Sequence, residues 1–158
     1  RQDMKDESKD SEGSPEVKSR IRRLQMEASQ KASERAKAIE NVGDATVIIT
    51  NPTHFAVALK YQPETRDTPY IIAMGKGLLA LRIIDEADKA NISRVRSPLL
   101  ARALFFTGDI GMDVAEDLFS AVASVLAYVL QLERGTNPIF EDPNIPDDLL
   151  FDEFGSKL

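Results

Sequence analysis

Cysteine and tryptophan are absent from this chain, and histidine occurs once. Without cysteine there is no disulfide framework, no zinc–thiolate site and no thiol nucleophile. With His54 as the single histidine, a multi-histidine metal site cannot be assembled. Long apolar runs are missing too. None approaches the roughly 18 residues that a membrane-spanning helix needs, so these residues are expected not to cross a bilayer. Positive charge is in short supply. There are 20 Lys and Arg against 26 Asp and Glu, a formal net charge of −6, the reverse of the basic footprint of a general nucleic-acid binder. A length of 158 residues suits about one domain. The first residue is Arg1 rather than Met, so the chain reads as a piece of a longer protein.

Between two short apolar runs stands Asn51-Pro52-Thr53-His54. In ordinary asparagine ageing, the backbone nitrogen of the next residue attacks the side-chain carbonyl. Pro52 has no backbone N–H, which closes that route. The reverse attack stays open. The Asn51 side-chain nitrogen can reach its own main-chain carbonyl and close a succinimide, with Pro52 as the leaving amine. The chain is then cut between Asn51 and Pro52. Ala45 to Thr50 and Phe55 to Tyr61 read as strands on either side, which makes the tetrapeptide a tight turn. A turn that presses the amide against the carbonyl would make proximity the main catalytic effect. Thr53 can bond to the turn or help polarise the carbonyl, and its β-branch stiffens the chain. His54 read by itself is a ring bonded to turn backbone. Placed directly after Asn-Pro-Thr, it is expected to assist proton transfer rather than to act as nucleophile. Asn51, Pro52, Thr53 and His54 are therefore the expected cleavage residues.

Residues 1–40 read as a polar linker followed by a helix that begins at Ser14-Pro15, where Ser14 serves as the cap. The apolar stripe of this helix (Val17, Ile21, Leu24, Ala28, Ala32) is thin, so most of it should be exposed. Lys18, Arg20, Arg22 and Arg23 give its start a basic cluster. That cluster is a solvated face on the simplest reading, and a contact with anionic headgroups on a sharper one. Residues 41–134 read as one α/β domain. Further strands are expected at Tyr70–Met74 and Ile92–Val95, with helices at Leu78–Ala90, Leu99–Phe106 and Val114–Leu132. Gly75-Lys76-Gly77 lacks the spacing of a phosphate-binding loop and reads as a strand-to-helix turn, so no cofactor is expected. Residues 135–158 hold six acids (Glu141, Asp142, Asp147, Asp148, Asp152, Glu153) against Lys157 and read as a disordered acidic tail. A second Asn-Pro, Asn137-Pro138, lies in it without the following Thr-His.

Asn51 through Tyr61 resembles the signature of the FlhB/YscU family, the autocleaving switch proteins of flagellar and injectisome type III export. Ser11-Glu12-Gly13-Ser14-Pro15, the Leu100–Phe105 block and Ala121–Val129 extend the resemblance over roughly residues 1–134. Val57-Ala58-Leu59-Lys60-Tyr61 looks like the flagellar branch. The resemblance implies a small four-stranded sheet wrapped by about four helices. It also implies the cytoplasmic part of an inner-membrane protein, and self-cleavage that occurs once per chain rather than as turnover. The partners it implies are other export-gate membrane proteins, the hook-length ruler protein, and export substrates or their chaperones. An injectisome paralogue and a non-cleaving protein-binding module are the rival readings.

Overall fold

The computed structural model describes residues 14–52 and 54–158. The expected linker at 1–13 and Thr53 lie outside the described residues. The chain forms two compact units, one up to Glu34 and one from Arg35 to Leu158.

Helix α1 spans Pro15–Ala38. At its start the Ser14 hydroxyl accepts the Val17 N–H at 3.5 Å, so Ser14 caps as expected. From Pro15 to Glu34 every residue is exposed, including Val17, Ile21, Leu24 and Met26. A thin stripe buries little, as its sequence implied.

In the second unit a 3₁₀ turn, Ile39–Asp44, leads into β1 (Val47–Asn51), β2 (Phe55–Lys60) and β3 (Tyr70–Lys76). Helix α2 (Leu78–Lys89), β4 (Arg94–Arg96), α3 (Pro98–Thr107) and α4 (Phe119–Glu133) follow. The strand order is β3-β2-β1-β4. β1 pairs antiparallel with β2 and parallel with β4, and β2 pairs antiparallel with β3. β1 is therefore an interior strand.

The alternation of side-chain size along β2 explains how the layers stack. Strand residues alternate between faces, and Phe55, Val57 and Leu59 join Val47 and Ile49 in a core shared with α3 and α4. Ala56, Ala58 and Ala73 point the other way, against Ala80, Ile83 and Ala87 of α2 and against Ile39 and Val42. Large residues fill the space under two helices, while alanines let α2 approach closely. Gly75 marks the tightest approach, because a Cβ there would sit 2.6 Å from the Leu79 Cβ and 3.1 Å from the Leu79 backbone. Overpacking of this kind costs about 1–3 kcal/mol. Gly75→Ala should accordingly lower the urea midpoint with an unchanged m-value, and an unaltered midpoint would show that α2 can move aside.

The sheet and the helices stand near where the sequence placed them; β3 runs on through Gly75 and Lys76, which were expected in the turn, and there are three larger shifts. β4 is the short run Arg94–Arg96. α4 starts at Phe119 rather than Val114. The residues before it are drawn to the edge of β3, where Val114 N–H donates to Pro69, Ile71 N–H to Met112 and Gly111 N–H to Ile71. The third shift is the tail, which is docked rather than disordered. Ile145 is buried, and Phe140 and Leu149 pack on the larger core. Tyr128 meets Phe140 at a centroid distance of 5.1 Å, and Phe106 meets Phe151 at 5.6 Å. The acids of this segment concealed its apolar residues, which recur at spacings matching neither a helix nor a strand.

Candidate functional site at the Asn51–His54 turn

The predicted turn joins β1 to β2. Asn51 ends β1 and pairs with Phe55, the first residue of β2. The His54 N–H donates to the Asn51 carbonyl at 3.0 Å, the i→i+3 bond of a tight turn. That oxygen belongs to the carbonyl the Asn51 amide would attack. A backbone donor already aimed at it polarises the carbon and would stabilise negative charge developing on the oxygen. The His54 carbonyl in turn accepts the Gly77 N–H at 3.0 Å, which ties the turn to the β3–α2 corner.

Both stems of the turn are fixed by packing. Thr50 is buried; its carbonyl accepts the Ser97 N–H at 2.9 Å, and its hydroxyl donates to Val95 at 3.5 Å. Phe55 is buried edge-on against Phe105 and Phe106, at 5.0 and 5.5 Å. Between these stems Asn51 is half-buried, whereas Pro52 and His54 are exposed. The polypeptide is thus held on each side of the bond expected to break, and Pro52, which carries the leaving nitrogen, is an exposed residue.

Of the four expected site residues, the structure brings together Asn51, Pro52 and His54; Thr53 is outside the described residues. His54 contributes its backbone at both ends, through its N–H and its carbonyl. Two features had no clear signal in the sequence. Arg102 donates from Nε to the Phe151 carbonyl at 2.7 Å. The C-terminal residues Asp152, Glu153, Phe154 and Leu158 then face Asn51, His54 and Arg102 across an open cleft of about 510 Å³. An arginine inside the apolar Leu100–Phe105 block was the one visible oddity. Among the described residues, no group of three His, Asp or Glu is placed to hold a metal ion.

A separate apolar groove of about 670 Å³ runs between α4 and the Gln62–Pro69 loop, lined by Tyr61, Pro63, Pro69, Phe119, Leu126 and Leu130 among others. The loop is clamped by Arg66. Its guanidinium stacks over Tyr70 at 3.9 Å and bonds Asp113 at 2.6 Å and the Gly111 carbonyl at 3.0 Å. Hydrogen bonds from Thr68 and then Arg66 hold the Asp113 carboxyl below its ordinary range.

Fold and turn together define a class: small α/β domains in which an Asn-Pro turn links an interior strand to its neighbour. Residues 1–129 match the model of the family described as FlhB HrpN YscU SpaS, and the chain belongs to that family. It is 42% identical over 149 residues to the flagellar biosynthetic protein FlhB of Salmonella typhimurium, covering 94% of this chain and 38% of that protein. The chain thus spans well under half the length of this relative. The crystal structure of the cytoplasmic domain of FlhB from Shewanella putrefaciens superposes with a TM-score of 0.68 at 38% identity, covering 74% of this chain and 95% of that one. An EscU C-terminal domain carrying an asparagine-to-alanine substitution matches with a TM-score of 0.56 at 33% identity, over 58% of this chain and 92% of that one. A form with the adjacent proline changed to alanine matches with the same score.

Proposed function

We propose that this chain is the cytoplasmic part of an inner-membrane component of flagellar type III protein export, and that it cuts itself once between Asn51 and Pro52. The observation that carries the reading is the Asn51 carbonyl, polarised by the His54 N–H in a turn whose stems are both buried. The side-chain nitrogen of Asn51 attacks its own main-chain carbonyl carbon. The carbon–nitrogen bond to Pro52 breaks, a proton passes to the proline nitrogen, and Asn51 is left as a succinimide that water later opens. Proximity and a preorganised donor supply the rate. That an asparagine and the following proline were both chosen for substitution in EscU fits this assignment. The flagellar names of the relatives favour flagellar over injectisome cargo.

Cutting one hairpin turn leaves the sheet assembled while freeing the surface around the new ends. We read this freedom as the means by which such a component changes export specificity, in contact with other gate proteins, a hook-length ruler, and export substrates or chaperones. The intact mass of freshly purified protein tests the central step. Masses of the pieces 1–51 and 52–158 support it, and a persistent single mass after long incubation of folded protein rejects it.

The role of His54 gives a further expectation. Its backbone, rather than its ring, makes the bonds seen at the turn, and the ring is attached to an exposed residue. A carboxamide N–H is also a very weak acid. The cutting rate should therefore keep rising with pH through the alkaline range. His54→Ala should show the same profile at lower amplitude, reduced less than about 100-fold, the lower end of what a positioned acid–base group supplies. A plateau near neutrality that vanishes in His54→Ala would make the imidazole the general base.

A further inference from the structure

Helix α3 has Pro98 at its first position, a usual helix start, but two other features are missing. Its first turn holds no acidic residue, and Ser97, at the N-cap, makes no side-chain cap bond. An uncompensated helix N-terminus favours a nearby anion. The tail provides one. The Ser97 hydroxyl donates to the Asp142 carboxylate at 2.5 Å, and Ser97 is fully buried. The same Ser97 donates its backbone N–H to the carbonyl of Thr50 at 2.9 Å. Thr50 directly precedes Asn51. An acid far along the chain thus reaches the last peptide before the cut turn through a single serine. Five residues further along α3, Arg102 grips the tail again at the Phe151 carbonyl, so the tail is fastened to this helix at two points.

We propose that Asp142 is a positioning residue for the Asn51–Pro52 turn: by holding Ser97 it fixes the Thr50 carbonyl, and with it the end of β1 from which Asn51 projects. Docking of the tail and alignment of the cut site then become one equilibrium. Whatever lifts the tail off α3 loosens the reacting residue without touching it. Proximity catalysis is steep in geometry, and small misplacements of the reacting groups cost large factors in rate. A carboxylate acceptor makes the contact stronger than a neutral one would be. The rate effect rests on the self-cleavage reading; the mechanical link from Asp142 to Thr50 does not.

Two measurements on the full chain separate these. In the Asn51→Ala background, where scission plays no part, Asp142→Ala should speed hydrogen exchange of the Ser97 amide about tenfold, the scale of one lost charge-assisted hydrogen bond. The Ile71 amide, bonded to Met112 on the far edge of the sheet, should change less than twofold. Asp142→Asn, which keeps an acceptor, should stay within about threefold of the parent. Unaltered Ser97 exchange, or equal acceleration at Ile71, would overturn the link and leave Asp142 an ordinary stabilising contact. In the cleavable chain, Asp142→Ala should slow the appearance of fragment 52–158 at least fivefold, with Asp142→Asn near the parent rate. Faster Ser97 exchange with an unchanged cutting rate would overturn the positioning role. A parent chain that never cuts would reject the self-cleavage reading, and the exchange result would still decide the link.

Discussion

Asn51→Ala should leave the protein a single chain of 158 residues, while the parent resolves into pieces ending at Asn51 and beginning at Pro52. The expected effect is complete loss, because the substitution removes the attacking nitrogen itself. Alanine also leaves the fold intact. Asn51 is half-buried at the end of a strand, and its backbone pairing with Phe55 does not involve its side chain. The Asn51→Ala protein should therefore match the parent in circular dichroism, and its unfolding free energy should lie within about 0.5 kcal/mol of that of uncut parent, the usual range for a substitution outside the core. Pro52→Ala tests the leaving side. It restores a backbone N–H, relaxes the φ that proline fixes, and alters the departing amine, so cutting should fall sharply without reaching zero. Scission of Asn51→Ala at the same bond would exclude cyclisation by Asn51 and point to attack by water or another side chain.

The sheet was legible because its strands obey simple rules. Val47 to Ile49 and Phe55 to Leu59 are unbroken apolar runs with turn residues close by, and both faces of the sheet proved to be covered. α2 and the close of α4 were equally plain. Gly135, at a φ of 83°, accepts the left-handed conformation that ends a helix, with its N–H on the Leu132 carbonyl. The chemistry proposed for the turn rests on covalent options alone, since the missing N–H of Pro52 does not depend on the fold. Tertiary pairing decided what the sequence hid. The start of α4 gave way to bonds with β3. The tail looked disordered because its acids outnumber its base, yet Asp152 folds the chain back by accepting the N–H groups of Phe154 and Ser156, both at 2.9 Å. Asp142, counted among the solvated acids, meets a buried serine. Composition registers a charge but not a partner many residues away.

The second large effect concerns what holds the cut protein together and what makes it cut. After scission the smaller piece ends in β1, which lies between β2 and β4 of the larger piece. Val47, Ile48 and Ile49 are fully buried there, joined by Val42 and Ile39 from the preceding turn. Each such side chain contributes about 1.5–3 kcal/mol on burial, and withdrawing β1 would also expose the ladder edges on both sides of it. The two pieces should therefore co-elute at native pH and salt, and separate only in denaturant. Separation under native conditions would mean that the strand is held far less firmly than its burial implies. The same packing is expected to drive the chemistry. Isolated Asn-Pro bonds are inert because nothing presses the amide against the carbonyl; on the proposed mechanism the buried stems at Thr50 and Phe55 would do the pressing. Asn137-Pro138 is the internal control. It lies in irregular chain after α4 with Asn137 exposed, so it should remain whole while Asn51-Pro52 breaks. Uncut protein transferred into strong urea should stop cutting at Asn51, and should resume when refolded. Equal scission at both Asn-Pro bonds, or an undiminished rate in urea, would show that the local sequence suffices and that the fold merely retains the pieces.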